Sequence, residues 1–173
     1  MKKIYGLLLI ICFNSCQEIK PRQPLNKKEA GFMKNSAKRN KSIFMKQERL
    51  LNEAAKEDST HTFNANPSGF LFAYVNKSST TVKRPEKGEK VSFQYTIETL
   101  QKELLYDKKR LGTVDYNIDQ EDLLPALREG LRLMKPKEVV VFLFPSYLCY
   151  GYQGDGDKIG INQPLRFTIE RLE

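Results

Sequence analysis

The chain has no tryptophan, a single histidine and only three cysteines among its 173 residues. Cys12 and Cys16 lie in or beside an N-terminal apolar run, so the part with the composition of a folded domain keeps Cys149 alone. One cysteine excludes an intramolecular disulfide, and an exported domain must then be held by its hydrophobic core. Cys149 and His61 also fall short of the roughly four ligands of a structural zinc site. Material for a Cys/His or Ser/His nucleophile system is equally scarce, because His61 falls in the polar approach to the domain and is expected as a solvated linker residue. Asp155 and Asp157 sit in a glycine loop; two acids lack the ligand count of a dedicated calcium site and are expected as solvated loop residues. No metal and no cofactor is therefore expected. Long hydrophobic runs are missing too: the apolar stretch from Ile4 to Phe13 is well short of the about 20 residues that span a bilayer.

What is abundant is positive charge, with a formal net charge of +8 and a pI near 9.3. Its distribution matters more than its sum. Residues 1–16 carry two lysines and no acids, residues 17–62 carry 11 Lys/Arg against 6 Asp/Glu, and residues 63–173 carry 16 against 15. The basic excess belongs to the approach and not to the domain, which argues against a nucleic-acid partner.

The opening "MKKIYGLLLIICFNSCQE" joins two lysines, a short apolar run and Ser15 directly before Cys16. This is the build of an export signal. Ser15-Cys16 resembles a bacterial lipobox, in which cleavage before the cysteine lets Cys16 carry lipid; an ordinary secretory signal with an incidental cysteine is the alternative. Residues 1–15 are thus expected as a lipoprotein signal peptide and residues 16–35, rich in Lys, Gln, Asn and Pro, as a tether. Residues 36–62 read as a helical extension and linker, and residues 63–173 as the domain. From Ser36 to Asp58 there is no Pro or Gly, and Ile43, Leu50, Leu51 and Ala54 fall on one helical face. That face allows a helix-mediated dimer, and the basic opposite face is expected to be solvated.

A first strand is expected over Gly69 to Asn76, and a second carries Val91, Phe93, Tyr95 and Ile97 at period two. "ELLYD" and "VDYNI" read as short strands around a basic turn, Lys108 to Gly112. A short helix follows, with Pro125 in its first turn and Pro136 forbidding continuation. "EVVVFLFP" and "PLRFTIERL" complete a sheet of about five strands over one helix, an α+β domain.

In this order, "GEKVSFQYT", "LLYD", "LLPALREGLRLMKPKEVVVFLFPSYLCYG" and "KIGINQPLRFTIERL" resemble the blocks of FKBP-type peptidyl-prolyl cis-trans isomerases. With the leader, the whole chain resembles the gliding-motility-associated FKBP-type lipoproteins. The resemblance implies the FKBP-like fold, a bent antiparallel sheet wrapped over one short helix, here preceded by an N-terminal helical extension. It also implies an aromatic-lined hollow for a proline ring. Carried over, Tyr95 is one wall, Tyr106 stands where the family has phenylalanine, and Asp107 matches the family aspartate. Tyr116 falls on the strand before the helix, Leu123 and Leu124 at the helix start where a backbone N–H meets the ligand carbonyl. Leu127 is the floor, Tyr150 the hydrogen-bonding wall, Ile159 the lid contact and Phe167 the back. Tyr150, Asp107, Tyr95 and Leu124 are the expected catalytic set, and the others bind substrate.

The expected function is isomerisation of X-Pro bonds by a folding helper of the bacterial cell envelope. It would be tethered to a membrane through lipidated Cys16, face the periplasm, act on proline-containing exported polypeptides, and support a motility or secretion machinery. The alternative is a binding module that uses the same hollow to scaffold an envelope assembly.

Overall fold

The computed structural model of the chain describes residues 27–79 and 81–172, with side chains from residue 33 onward. The expected signal peptide, Cys16 and the tether as far as residue 26 lie outside the described residues. Two units are distinguished, residues 1–37 and 38–173. Among the described residues the first holds only the opening turns of helix α1 (Lys27–Glu57), and the second holds the rest of α1 and the whole sheet. The helix begins at Lys27 and not at Ser36, because Lys, Glu, Ala and Met in that stretch are good helix formers. Part of the expected tether is therefore helical.

Among the described residues seven strands form one antiparallel sheet: β1 (Asn64–Ala65), β2 (Leu71–Asn76), β3 (Lys90–Glu98), β4 (Leu104–Tyr106), β5 (Val114–Asn117), β6 (Val139–Phe144) and β7 (Leu165–Arg171). Their order is β1-β2-β6-β7-β3-β4, with β5 also paired to β3. Six of them fall on the segments read as strands, one more than the total of about five, and the seventh, the two-residue β1, has no periodicity to read. The expected basic turn after β4 is a helical turn, α2 (Lys108–Leu111), whose first N–H groups are capped by Asp107 accepting from the Arg110 N–H at 2.7 Å.

Helix α3 (Pro125–Leu131) lies against the sheet. Gly130 is what lets it approach: a Cβ there would meet Ile169 at 3.1 Å and Phe142 at 3.3 Å. After it, Arg171, 1 % exposed, donates to the Met134 carbonyl at 2.8 Å and pairs with Glu89 at 3.1 Å, joining the helix exit to β7 and β3.

Strand β6 is buried along nearly its whole length. Val140, Phe142 and Phe144 enter the main core with α3, whereas Leu143 meets Leu51 of α1 and Leu100 on the other side. Both faces are covered, which is why the strand reads as a continuous apolar run and not as an alternation. Leu50 and Ala54 flank Leu51 in the same contact. The face expected to be open for a second copy is thus occupied from Leu50 onward by the chain's own sheet, and a dimer built on it would have to undo that packing.

A polar clasp closes the end of α1. The Asp58 side chain, fully buried, pairs with Arg166 of β7 at 2.8 Å, with Lys102 at 3.2 Å and with His61 at 3.0 Å, and accepts from Thr60. Burial pushes the Asp58 carboxyl up, but the hydrogen bonds from Thr60, Arg166 and His61 outweigh it and hold the group well below the usual carboxylate range. Arg166 is also paired to Glu98 at 3.3 Å. His61 is therefore not a solvated linker residue: its side chain is only 19 % exposed because a buried carboxylate holds it.

Candidate functional site

The aromatic centre of the site comes from neighbouring strands. Alternation on β3 points Val91, Phe93, Tyr95 and Ile97 toward the core, and β7 sends Leu165, Phe167 and Ile169 to meet them. Tyr95 is opposite Ile169 in register, so its ring reaches diagonally to Phe167 and stacks on it, 6.1 Å between centroids and 9° between planes. Phe144 meets Phe167 edge-on at 5.6 Å. Such pairs add about 0.5–1.5 kcal/mol beyond burial and fix the rings of Tyr95, Phe144 and Phe167 against one another.

A loop from Ser146 to Asn162 carries the wall and the lid. Its start is a 3-10 turn over Ser146–Leu148, after which the Ser146 carbonyl accepts from Cys149 at 2.9 Å and from Gly151 at 2.8 Å. Tyr150 is held between those two bonds. Gly154, at φ +70, has to be glycine because a Cβ would lie 2.3 Å from the Ile159 carbonyl oxygen. Asp155 then organises the lid, accepting from the N–H groups of Asp157 at 2.9 Å and Ile159 at 2.8 Å and from the Tyr106 hydroxyl. Burial would raise the Asp155 carboxyl; the hydrogen bonds from Tyr106, Asp157 and Ile159 hold it below the usual range. Lys158 adds a bond to the Leu105 carbonyl at 2.9 Å, and Arg110 pairs with Asp157 at 3.5 Å. Asp155 is thus a lid-to-strand tie and not a solvated loop residue, whereas Asp157 stays exposed in the loop.

The phenols divide into engaged and unengaged. Tyr106 donates within the lid; its bond to Asp155, with burial and the nearby carboxylates, pushes its hydroxyl up to about 12. The Tyr150 hydroxyl has no hydrogen-bond partner among the described residues, and burial, with Tyr95, Cys149, Asp155 and Tyr106 nearby, pushes it up to about 12. Tyr95 is also raised by burial and is likewise without a partner among the described residues. Both phenols are consequently neutral donors near pH 7. Leu124, just before Pro125 of α3, has an extended ψ of 127 and its N–H makes no hydrogen bond among the described residues.

Against these positions the sequence-derived set sorts clearly. Tyr95, Leu123, Leu124, Tyr106 and Tyr150 are half-buried and pack on the same core as Ile159, which is 4 % exposed. Leu127 and Phe167, 2 % and 0 % exposed, are buried in that core and offer no open face. Tyr116, also 2 % exposed, uses its hydroxyl to accept from the Asp119 N–H at 3.0 Å, a turn bond before α3. Asp107 is exposed and spent on the α2 cap. Sequence reasoning missed Gln47. Buried on α1, it donates to the Ser146 hydroxyl at 2.8 Å and the Asn162 carbonyl at 3.1 Å and accepts from the Ser146 N–H at 2.8 Å, so one amide holds both ends of the site loop.

The model of the family FKBP-type peptidyl-prolyl cis-trans isomerase matches residues 81–172. The chain belongs to this family. The matched FKBP region holds Tyr95, Leu124, Tyr150 and the lid, whereas α1 and β2 precede it. A probable FKBP-type peptidyl-prolyl cis-trans isomerase FkpA of Neisseria meningitidis is 31 % identical over 141 residues, covering 81 % of this chain and 48 % of the relative. The chain thus spans about half the length of that curated relative. Among solved structures, a peptidyl-prolyl cis-trans isomerase of Pseudomonas syringae aligns at a TM-score of 0.59 with 18 % identity, over 77 % of this chain and 93 % of that one. FkpA of Escherichia coli aligns at 0.57 with 18 % identity, over 99 % and 80 %. These two likenesses bear on the fold, and the FKBP-like architecture expected from the sequence blocks is the one found.

Proposed function

We propose that the protein catalyses cis–trans isomerisation of X-Pro bonds at the hollow bounded by Tyr95, Leu124, Tyr150 and Ile159. One observation carries this reading: the Tyr150 hydroxyl and the Leu124 N–H remain unengaged among the described residues beside an aromatic cluster, while the Tyr106 hydroxyl and Asp155 carboxylate next to them are consumed by the lid.

Rotation about a peptide bond faces about 18–20 kcal/mol because resonance keeps the C–N bond planar, and the two X-Pro isomers differ by about 1 kcal/mol or less. A catalyst needs only to favour the twisted state. That state has lost resonance and is less charge-separated than the planar amide, so transfer from water into a dry aromatic hollow costs it less. A proline ring against Tyr95, with the substrate carbonyl accepting from Tyr150 or the Leu124 N–H, lets one side of the bond stay fixed while the other turns. Because both phenols titrate high, the donor persists through neutral pH.

NMR exchange on X-Pro peptides with the full chain tests this. The expected result is acceleration of exchange, reduced about tenfold by Tyr150→Phe, the value of one transition-state hydrogen bond. No acceleration by a folded chain would instead favour a proline-binding scaffold of an envelope assembly.

The finer reading is a folding helper for exported, proline-containing polypeptides, held in the bacterial cell envelope by lipid on Cys16 and serving a motility or secretion machinery. It is supported by the lysine-led apolar leader, by Ser15-Cys16 and by the resemblance of leader and domain together to gliding-motility-associated lipoproteins. Lipid labelling lost in Cys16→Ser is the expected outcome; labelling that survives would refute the anchor.

A further inference from the structure

The loop that carries Tyr150 has a second side. Between it and α1 lies an open cavity of about 580 Å³, with Asn40, Ile43, Phe44 and Gln47 on one bank and the stretch from Tyr147 to Gln153 on the other. That is within the about 300–1,000 Å³ of sites that take small ligands or short chain segments. No Lys, Arg, Asp or Glu lines it, although charged residues make up 29 % of the chain. Its surface is mainly aromatic faces and carboxamides, with Ile43, Ser146, Cys149 and Gly151 between them. Phe44 and Tyr147 stack at 5.8 Å, both 47 % exposed, and Tyr152 is 76 % exposed beside them. Among the described residues the backbone N–H groups of Tyr152 and Gln153 make no hydrogen bond within the chain.

Large aromatic side chains left in water, together with amide groups and free backbone donors, match the chemistry of an extended, uncharged polypeptide: side chains on ring faces, peptide groups on amides. The bonds from Gln47 to Ser146 and Asn162 fix the two banks in advance, which lowers the ordering cost of binding. Tyr150 and Gly151 line this groove, and Tyr150 is also the wall of the hollow. The groove and the proposed proline site therefore share one residue, Tyr150.

We infer that the groove between α1 and the Tyr150 loop is an extension of the substrate site, holding in extended form the polypeptide on one side of the proline. The inference rests on the isomerase reading above and deepens it: the preferred substrate is an extended, uncharged polypeptide and not an isolated X-Pro turn.

The test compares NMR exchange of a neutral tetrapeptide centred on X-Pro with the same peptide lengthened by about six uncharged residues, first before and then after the proline. With the full chain, lengthening on one side is expected to raise kcat/KM about tenfold, mainly through KM, and that gain should vanish in Phe44→Ala and in Tyr152→Ala while the tetrapeptide rate stays unchanged. Tetrapeptide turnover with no gain on either side would overturn the inference alone, and so would a gain that both variants keep. Occupation of the groove by a second copy would also overturn it, seen as a concentration-dependent mass that Tyr152→Ala abolishes. No turnover of any peptide by the folded chain would overturn the isomerase reading and the inference with it.

Discussion

The two faces of β6 are stabilised in different ways. On one side, Phe142 and Phe144 belong to a core in which aromatic and aliphatic side chains from six strands and α3 enclose one another. On the other, Leu143 meets Leu51 and Leu100, with the partly buried Leu50, Ala54 and Ala55 of α1 beside them, and buried polar bonds add to this contact: Gln47 on the site loop and Asp58 on Arg166. Apolar burial at about 25 cal/mol per Å² suffices for the first face. The second is the smaller cluster, so it leans more on a few bonds whose partners are buried and cannot be replaced by water. The extension is therefore the part of the domain that a single substitution can release, and it is also the part that holds the site loop.

The largest effect should come from the main core. Phe144→Ala is expected to cost about 3–5 kcal/mol, read as a lower denaturant midpoint for the whole domain. Breaking the clasp with Asp58→Ala leaves Arg166 buried with only Glu98 beside it and should cost about 3 kcal/mol. The distinguishing sign is hydrogen exchange: amides of residues 38–57 should lose protection before those of β6 and β7. Equal loss everywhere would erase the contrast between the two faces.

The same clasp has a pH signature. Asp58 titrates lower folded than unfolded, so its contribution is complete above about pH 4, the unfolded carboxylate range, and is lost as pH falls toward the depressed folded value. Thermal midpoints measured from pH 6 to 2 should fall steeply below about pH 4 and less steeply in Asp58→Asn. A remaining slope is expected from Asp115, Glu121 and Asp155, which are also depressed.

Gln47→Ala removes three hydrogen bonds and leaves Ser146 short of partners, for about 1–3 kcal/mol. It should raise exchange in both α1 and residues 146–162, and lower the rate of isomerisation even of a short X-Pro peptide, because Gln47 holds both ends of the loop that carries Tyr150. The smallest effect belongs to Tyr106→Phe, which removes the hydroxyl shared between Asp155 and Asp157 for about 1 kcal/mol and should loosen residues 155–159 while leaving global stability nearly unchanged.

Much of this was legible in the residues themselves. The period-two pattern of Val91, Phe93, Tyr95 and Ile97 matches the core face of β3, and Pro125 marks the start of α3. The uninterrupted apolar run at 139–144 already carried the sign of a strand covered on both faces. What could not be read were side-chain pairings between distant segments. Gln47 and Ser146 are 99 residues apart, and Asp58 and Arg166 are 108 apart; no periodicity encodes either. His61 looked like a linker residue because its partner Asp58, three residues earlier, is itself paired with Arg166 of a strand near the end of the chain. Asp155 looked like a loop acid because Tyr106, which fixes it, lies 49 residues earlier. Asp107, matched by resemblance, turned out to have a local role that spacing alone could not distinguish, the cap of α2.

The most direct test of the central claim, that a proline is gripped between Tyr95, Leu124 and Tyr150, is a titration of the full chain with an X-Pro peptide followed by backbone amide resonances. The account predicts the largest shift at the Leu124 N–H, which has no partner in the chain among the described residues, with further shifts at Tyr150 and Ile159. Shifts that avoid Leu124 and centre elsewhere in the domain, in a sample that still isomerises the peptide, would contradict it.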